Sequence, residues 1–128
     1  MAQAVIAVVD DDAAFLTMMQ DLLADEDYQV LLCSDGEDAY SLIQRERPDL
    51  VILDIRMDLR DVGLKILQLM RLNPITQQVP VIVCSADGRL LDEQREDLCE
   101  RCCDVVQKPF DIDELLLKIS QMVGQAPV

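Results

Sequence analysis

The sequence has no histidine, and it has no basic residue before Arg45. Residues 1–44 hold ten acidic residues, and the whole chain has 25 acidic against 11 basic residues, a net charge of −14. This balance disfavours direct contact with the phosphate backbone of nucleic acids and with anionic membranes. No apolar run approaches the roughly 20 residues of a membrane span, and the residues before Asp10 lack the basic start and apolar length of a signal peptide. We therefore expect a cytoplasmic protein without membrane insertion.

The absence of histidine also weakens any metal site built on cysteine. Cys99, Cys102 and Cys103 have the spacing to share one side of a helix end, but a fourth ligand is missing. The other two cysteines, Cys33 and Cys84, fall in apolar, strand-like runs. Five cysteines are an odd set in a chain with a full apolar core, so we expect reduced thiols, mostly as core or boundary residues. Redox sensing is the lesser alternative.

A length of 128 residues indicates one domain, which we place at residues 1–124 with a short tail at 125–128. Apolar runs alternate with stretches of helical period, the pattern of βαβ units and a parallel sheet. The predicted strands are residues 5–9, 30–33, 50–53, 79–84 and 105–106. No internal repeat or low-complexity tract interrupts them.

Five helices are predicted to alternate with these strands. Apolar spacing defines the first around Phe15 and the last around Leu115. Pro48 closes the second helix, and Pro74 closes the third. The fourth, roughly residues 88–101, has few apolar positions and is expected to be the loosest element. Three aspartates are plausible helix N-caps: Asp12, Asp35 and Asp111.

Charged residues follow three of the predicted strands. Asp10 and Asp11 come after the first strand, Asp54 after the third, and Lys108 after the fifth. In a parallel sheet these strand ends share one edge, which is where open α/β sheets bind ligands. Three carboxylates crowded together repel unless a hard cation or a protonated amine lies among them. The arrangement therefore predicts a functional cluster.

Each of these features also has an ordinary explanation when it is taken alone. Asp10 to Asp12 can be a solvated helix start, because carboxylates favour the positive end of the helix dipole. Asp54 can be a simple strand-end residue, and Lys108 with Pro109 can be a simple loop. Their occurrence together is what favours a functional site.

The chain resembles the receiver domain of two-component response regulators over residues 5–123. The resemblance is carried by the acidic pair Asp10 and Asp11, by Asp54, by Ser85 at the end of the fourth strand, and by Lys108 with Pro109. It implies a flavodoxin-like, doubly wound (βα)5 sandwich whose five-stranded parallel sheet has the order 2-1-3-4-5. It also implies phosphorylation of Asp54 by a histidine kinase or a phosphotransfer protein, in a signalling switch that is not otherwise an enzyme.

The same resemblance assigns the site residues. Mg²⁺ is expected on Asp11 and Asp54 directly, on Asp10 through water, and on the backbone carbonyl of Arg56. A carboxylate that attacks a phosphoryl group brings two anions together, so Mg²⁺ and a fixed cation must neutralise the developing charge. Lys108 is expected to pair with one phosphoryl oxygen. The Ser85 hydroxyl is expected to move and bind another.

The resemblance also implies a downstream protein partner. It would bind the face formed by the predicted fourth helix, fifth strand and fifth helix. The acidic N-terminal third further predicts that the kinase-side partner has a basic docking surface.

Two segments depart from the family pattern. Receivers usually follow the acceptor with Met-Pro and then Asp-Gly, whereas here Asp58 follows Met57 and the loop to Gly63 carries an insertion. The position three before the conserved lysine is often aromatic, but here it is Val105. A relay by a flipping ring therefore cannot operate at that site.

Two alternative functions remain open at this point. A pseudo-receiver that is never phosphorylated would explain the altered loop and Val105. A haloacid-dehalogenase-type phosphatase would use Asp10 as its nucleophile, because Asp10 and Asp12 form an Asp-x-Asp motif after an apolar strand. Those enzymes resemble longer chains, which argues against the second alternative.

Arg56 and Asp87 occupy the two variable positions that, in the family, tune the lifetime of the phosphorylated aspartate. Because their charges are opposite, we hypothesise that they pair across the mouth of the site and hinder the hydrolytic water. The alternative is two exposed charges without contact, since surface ion pairs contribute little. Arg56→Ala is then expected to shorten the lifetime of the phosphoryl group. An unchanged rate of dephosphorylation would refute the pairing.

Overall fold

The computed structural model of the protein describes residues 3–54, 62–86, 88–89 and 104–123. The strands within these ranges are β1 (Val5–Val9), β2 (Gln29–Cys33), β3 (Leu50–Leu53), β4 (Val81–Ser85) and β5 (Asp104–Gln107). The helices within them are α1 (Ala13–Asp25), α2 (Gly36–Glu46), α3 (Val62–Leu72) and α4 (Ile112–Met122). Most of the predicted fourth helix lies outside the described residues, as does the predicted tail, so α4 is the predicted fifth helix.

All five strands pair in parallel, in the order β2-β1-β3-β4-β5. This order confirms the predicted flavodoxin-like sheet. Every residue of β3 and β4 is buried, and so are four of the five residues of β1. Burial on both faces is why these strands are continuous apolar runs rather than alternating ones.

Helices cover both faces of the sheet, and alternate strand residues divide between the two apolar cores. On one face, α1 and α4 pack over the core that contains Ile6, Val8, Ile52 and Ile82. On the other face, α2 and α3 pack over the core that contains Ala7, Val9, Leu53 and Val83. Packing on both faces holds the central strands in place. The backbone positions of the polar residues that follow those strands are therefore fixed.

The predicted helix boundaries agree with the structure where they depend on capping and proline. Asp12, Asp35 and Asp111 are the N-caps of α1, α2 and α4, and each side chain accepts a backbone N–H of the first turn. The helix α2 ends just before Pro48, and α3 ends just before Pro74. These ends follow from proline's missing N–H and its ring.

The start of β4 differs from the prediction, which began the strand at Val79. The N–H of Val79 donates to the carbonyl of Thr76 at 3.1 Å and is therefore used by the preceding turn. Pro80 has no N–H, and its carbonyl accepts from Val51 at 3.0 Å. Regular pairing accordingly begins at Val81 and continues to Ser85, one residue beyond the predicted end.

Asp12 sets the entry of the chain into α1 immediately after the acidic pair. Its Oδ1 accepts the N–H of Ala14 at 3.0 Å and that of Phe15 at 3.3 Å. Asp12→Ala is expected to lower the free energy of unfolding by about 1 kcal/mol, because two first-turn donors lose their acceptor. Urea denaturation measures this change.

Asp12→Asn is the matched control, because it keeps an acceptor oxygen at the cap and removes only the charge. Its stability should remain close to that of the wild type. If Asp12→Asn destabilises the protein as much as Asp12→Ala does, charge rather than capping determines the role of this residue.

Candidate functional site

The register of the sheet brings Asp10 and Asp54 to the same edge. Val9 and Leu53 are paired residues at the ends of β1 and β3, so each aspartate is the next residue along its strand. The N–H of Asp54 donates to the carbonyl of Val9 at 3.0 Å, and that of Asp10 donates to Cys33 at 3.0 Å. Both aspartates therefore extend the ladder by one bond, and their backbones are held rigidly.

Three carboxylates meet at this edge. Asp10, Asp11 and Asp54 each offer an oxygen, and these oxygens all lie within 4.8 Å of one another. Asp10 is 1% exposed and Asp54 is 8% exposed, whereas Asp11 faces solvent. Like charges this close repel strongly when they are shielded from water. A nearby cation would relieve this repulsion.

Lys108 supplies one positive charge to the cluster. Its Nζ lies 2.5 Å from Oδ2 of Asp10 and 3.7 Å from Oδ2 of Asp54. Burial acts to lower the pKa of Lys108, but the hydrogen bond and charge of Asp10, with the charge of Asp54, raise it above its ordinary value. The ammonium therefore remains charged throughout the neutral range.

Ser85 lies on the strand between those that carry Asp54 and Lys108. It is the last residue of β4 and is 3% exposed. Its carbonyl accepts the backbone N–H of Lys108 at 2.8 Å, which anchors the start of the loop after β5. The structure thus places a hydroxyl residue at the same edge as the acidic cluster.

Of the three predicted modulating residues, the structure describes only Val105. Val105 lies on β5, is partly buried and packs against the core beneath α2 and α3, so no ring occupies its position. Arg56 and Asp87 lie outside the described residues, as does most of the inserted loop at residues 58–63. The cysteines at 99, 102 and 103 lie outside them too.

Phe15 is a site residue that apolar spacing alone assigns only to the apolar face of α1. In the structure Nζ of Lys108 lies over its ring, 4.0 Å from the centroid. The ring also meets Phe110, with centroids 6.1 Å apart and planes at 87°. The one sign of this contact in the sequence is the placement of its two phenylalanines. Phe15 follows closely on Asp12, and Phe110 follows closely on Lys108.

Most of the chain matches a known protein family. Residues 6–120 match the model of the response regulator receiver domain. The chain therefore belongs to the response regulator receiver domain family of two-component signalling. Receiver domains take their signals from histidine kinases or phosphotransfer proteins, and they are in general signalling domains rather than enzymes.

Curated relatives include both short and long proteins. The chain is 34% identical over 110 residues to sporulation initiation phosphotransferase F of Bacillus subtilis (strain 168), and the match covers 86% of each protein. It is 35% identical over 121 residues to transcriptional regulatory protein DltR of Streptococcus agalactiae, covering 94% of this chain and 52% of DltR. The chain thus spans about half the length of DltR, and likewise of the MprA response regulators.

Solved structures show the same fold. The receiver domain of sensor histidine kinase PA1611 from Pseudomonas aeruginosa PAO1 superposes with a TM-score of 0.83 at 27% identity, covering 96% of this chain and 99% of that one. That structure has a magnesium ion coordinated in its active site cleft. Chemotaxis response regulator CheY4 of Vibrio cholerae has a TM-score of 0.82 at 22% identity, covering 94% and 99%, and supports the fold alone.

Among the described residues, no helix combines the length and the apolar character needed to cross a bilayer.

Cys84 lies beside Ser85 as part of the core beneath α1 and α4. Burial raises the pKa of its thiol to about 12, against a smaller opposing effect of Lys108. Because the thiolate is the reactive form, native Cys84 at pH 8 should hold about a thousandfold less thiolate than an ordinary cysteine. Alkylation followed by peptide mass spectrometry should therefore label Cys84 far more slowly in native protein than in urea. Equal rates would contradict the shift.

Proposed function

We propose that this chain is a phosphorylation switch in the cytoplasm. In this proposal Asp54 takes a phosphoryl group from a histidine kinase or a histidine phosphotransfer protein, and the modified domain then binds a downstream protein differently. The observation that carries the proposal is the convergence of Asp10, Asp11, Asp54 and Lys108 at one edge of the sheet. Membership of the receiver family supports it.

Asp54 is the acceptor in this mechanism. One of its carboxylate oxygens attacks the phosphorus of a phosphohistidine, forming a P–O bond as the P–N bond breaks. The electron pair of the broken bond leaves with the imidazole, which takes up a proton. Because Asp54 has its backbone held by Val9, its position is set before the donor arrives.

The donor set of the cluster fits a magnesium ion. Mg²⁺ prefers oxygen ligands and needs only one or two carboxylates, since it keeps several waters. Asp11 and Asp54 would bind it directly, and Asp10 through water, with the carbonyl of Arg56 as a further ligand. When bound, it would neutralise charge on the transferring phosphoryl group.

Asp10 has a different role from Asp54. Its Oδ1 accepts the N–H of Asp12 at 2.9 Å, and its Oδ2 contacts Lys108. Both oxygens therefore hold other groups in place, which argues against Asp10 as the nucleophile of a haloacid-dehalogenase-type phosphatase. We assign it to orienting Lys108 and to the metal's water shell.

Lys108 and Ser85 would receive the phosphoryl oxygens. Lys108 already lies near Asp54 and carries three N–H donors, so it can shift from the carboxylates to a phosphoryl oxygen. The Ser85 hydroxyl would bind a second oxygen. Its movement on β4 would be the first structural consequence of phosphorylation.

The downstream partner would bind the face formed by the predicted fourth helix, β5 and α4. Among the described residues of this face, β5 and α4 flank a cavity of about 270 Å³ that includes Val105, Phe110 and Glu114 in its lining. Because Val105 is not aromatic, the Ser85 movement would be transmitted to this face without a ring relay.

Incubation with acetyl phosphate and Mg²⁺, followed by intact mass spectrometry, tests the assignment. Wild-type protein should gain one phosphoryl group, and Asp54→Asn should gain none, because the amide is a poor nucleophile. Removing Mg²⁺ with a chelator should abolish the modification. Asp21→Asn, an exposed aspartate on α1, is the matched control and should be modified like the wild type.

The alternatives give different results in the same experiment. A wild-type chain that stays unmodified by acetyl phosphate and by histidine-kinase donors would be a pseudo-receiver. An adduct that persists in Asp54→Asn would show that another carboxylate is the acceptor. Hydrolysis of a generic phosphate ester would support the haloacid-dehalogenase-type phosphatase instead.

A further inference from the structure

The two phenylalanines of the chain meet at the lysine of the site. Phe15 comes from the first turn of α1, and Phe110 comes from the loop between β5 and α4. Their rings are 6.1 Å apart at 87°, and the Lys108 ammonium lies 4.0 Å from the centroid of Phe15. This geometry is that of a cation over the negative face of an aromatic ring.

We propose that Phe15 is a positioning residue for phosphoryl transfer. Its ring holds the Lys108 ammonium at the sheet edge and so increases the rate at which Asp54 is phosphorylated. This inference rests on the function proposed above.

The ring attracts the ammonium without neutralising it, which another carboxylate could not do. A carboxylate neutralises the ammonium and competes with the phosphoryl group for its N–H donors. A ring attracts the charge through its quadrupole and leaves the strong donors available. Because the lysine side chain is long and flexible, a contact that restricts it without neutralising it favours the reactive arrangement.

The position of the ring is itself fixed by residues near the acidic pair. The N-cap bond from Phe15 N–H to Asp12 starts the helix, and the Asp12 N–H donates to Asp10. Phe110, from the loop after β5, makes a T-shaped contact with the ring. Phe15 therefore connects the loop after β1 to the loop after β5, the two segments that must stay together for Lys108 to reach the carboxylates.

Three variants separate the charge–ring contact from simple packing. Phe15→Leu keeps an apolar side chain but removes the ring, and Phe15→Tyr keeps the ring. Met18→Leu, one turn further along α1 and 41% exposed, is the matched control. With acetyl phosphate and Mg²⁺, Phe15→Leu should be phosphorylated about threefold to tenfold more slowly, while Phe15→Tyr and Met18→Leu stay close to the wild type.

A spectroscopic measurement reports the contact independently of phosphorylation. In wild-type protein the ring current of Phe15 should shift the ε-methylene protons of Lys108 upfield. Phe15→Leu should remove that shift, and Phe15→Tyr should keep it. Absence of the shift in the wild type would overturn the inference even if Phe15→Leu fails to fold.

The phosphorylation rates of the variants also test the inference. Phosphorylation of Phe15→Leu at the wild-type rate would overturn the inference, and so would equal slowing of Phe15→Leu and Phe15→Tyr. Failure of the wild type itself to accept phosphate would instead overturn the proposed function, on which the inference rests. The two failures are thus distinguished by the wild-type reaction.

Discussion

Mutual repulsion of carboxylates at one sheet edge is the constraint around which this protein is built. Two unit charges 4 Å apart repel by about 4 kcal/mol at an effective dielectric of 20. Asp10, Asp11 and Asp54 bring three such charges together, two of them buried. The Lys108 ammonium offsets part of this cost, and a divalent cation would offset more. In the proposed function, a transferring phosphoryl group would enter a site in which Lys108 already offers one positive charge to the carboxylates.

The scaffold holds these charges close by burying apolar residues on both faces of the central strands. The parallel register of β1 with β3 aligns the residues that precede Asp10 and Asp54, so packing in the interior determines geometry at the rim. Loops alone would not supply that precision. A small displacement of either strand would separate Asp54 from its neighbouring charges and reduce the advantage of preorganisation.

Much of this architecture could be predicted from the sequence, because its strongest signals are physical ones. The runs 5–9 and 50–53 are apolar throughout and end at charged residues, so their strand boundaries agree with the structure. Hydropathy places Val79 in β4, because it does not show that the N–H of this residue is used by a turn. Asp10, Asp54 and Lys108 were predicted to converge because parallel strands end on a common edge.

The role of the aromatic pair could not be predicted in the same way. Periodicity shows that Phe15 is on the apolar side of α1, but not that its ring turns toward a lysine far along the chain. That contact depends on the rotation of α1 about its axis and on the path of the loop after β5. Both are set by packing between distant segments, which a local pattern does not contain.

The contact between Lys108 and Asp10 also couples the chemistry to folding, because it spans 98 positions in the chain. During synthesis the three aspartates emerge well before the lysine. The edge strand β5 must pair with β4 before the ammonium can reach its carboxylates. Local contacts close early in folding, whereas contacts of long sequence separation depend on assembly of the whole sheet. The complete cluster of carboxylates and ammonium is therefore a property of the completed domain, and a truncated or half-folded chain would display the acidic residues without their lysine partner.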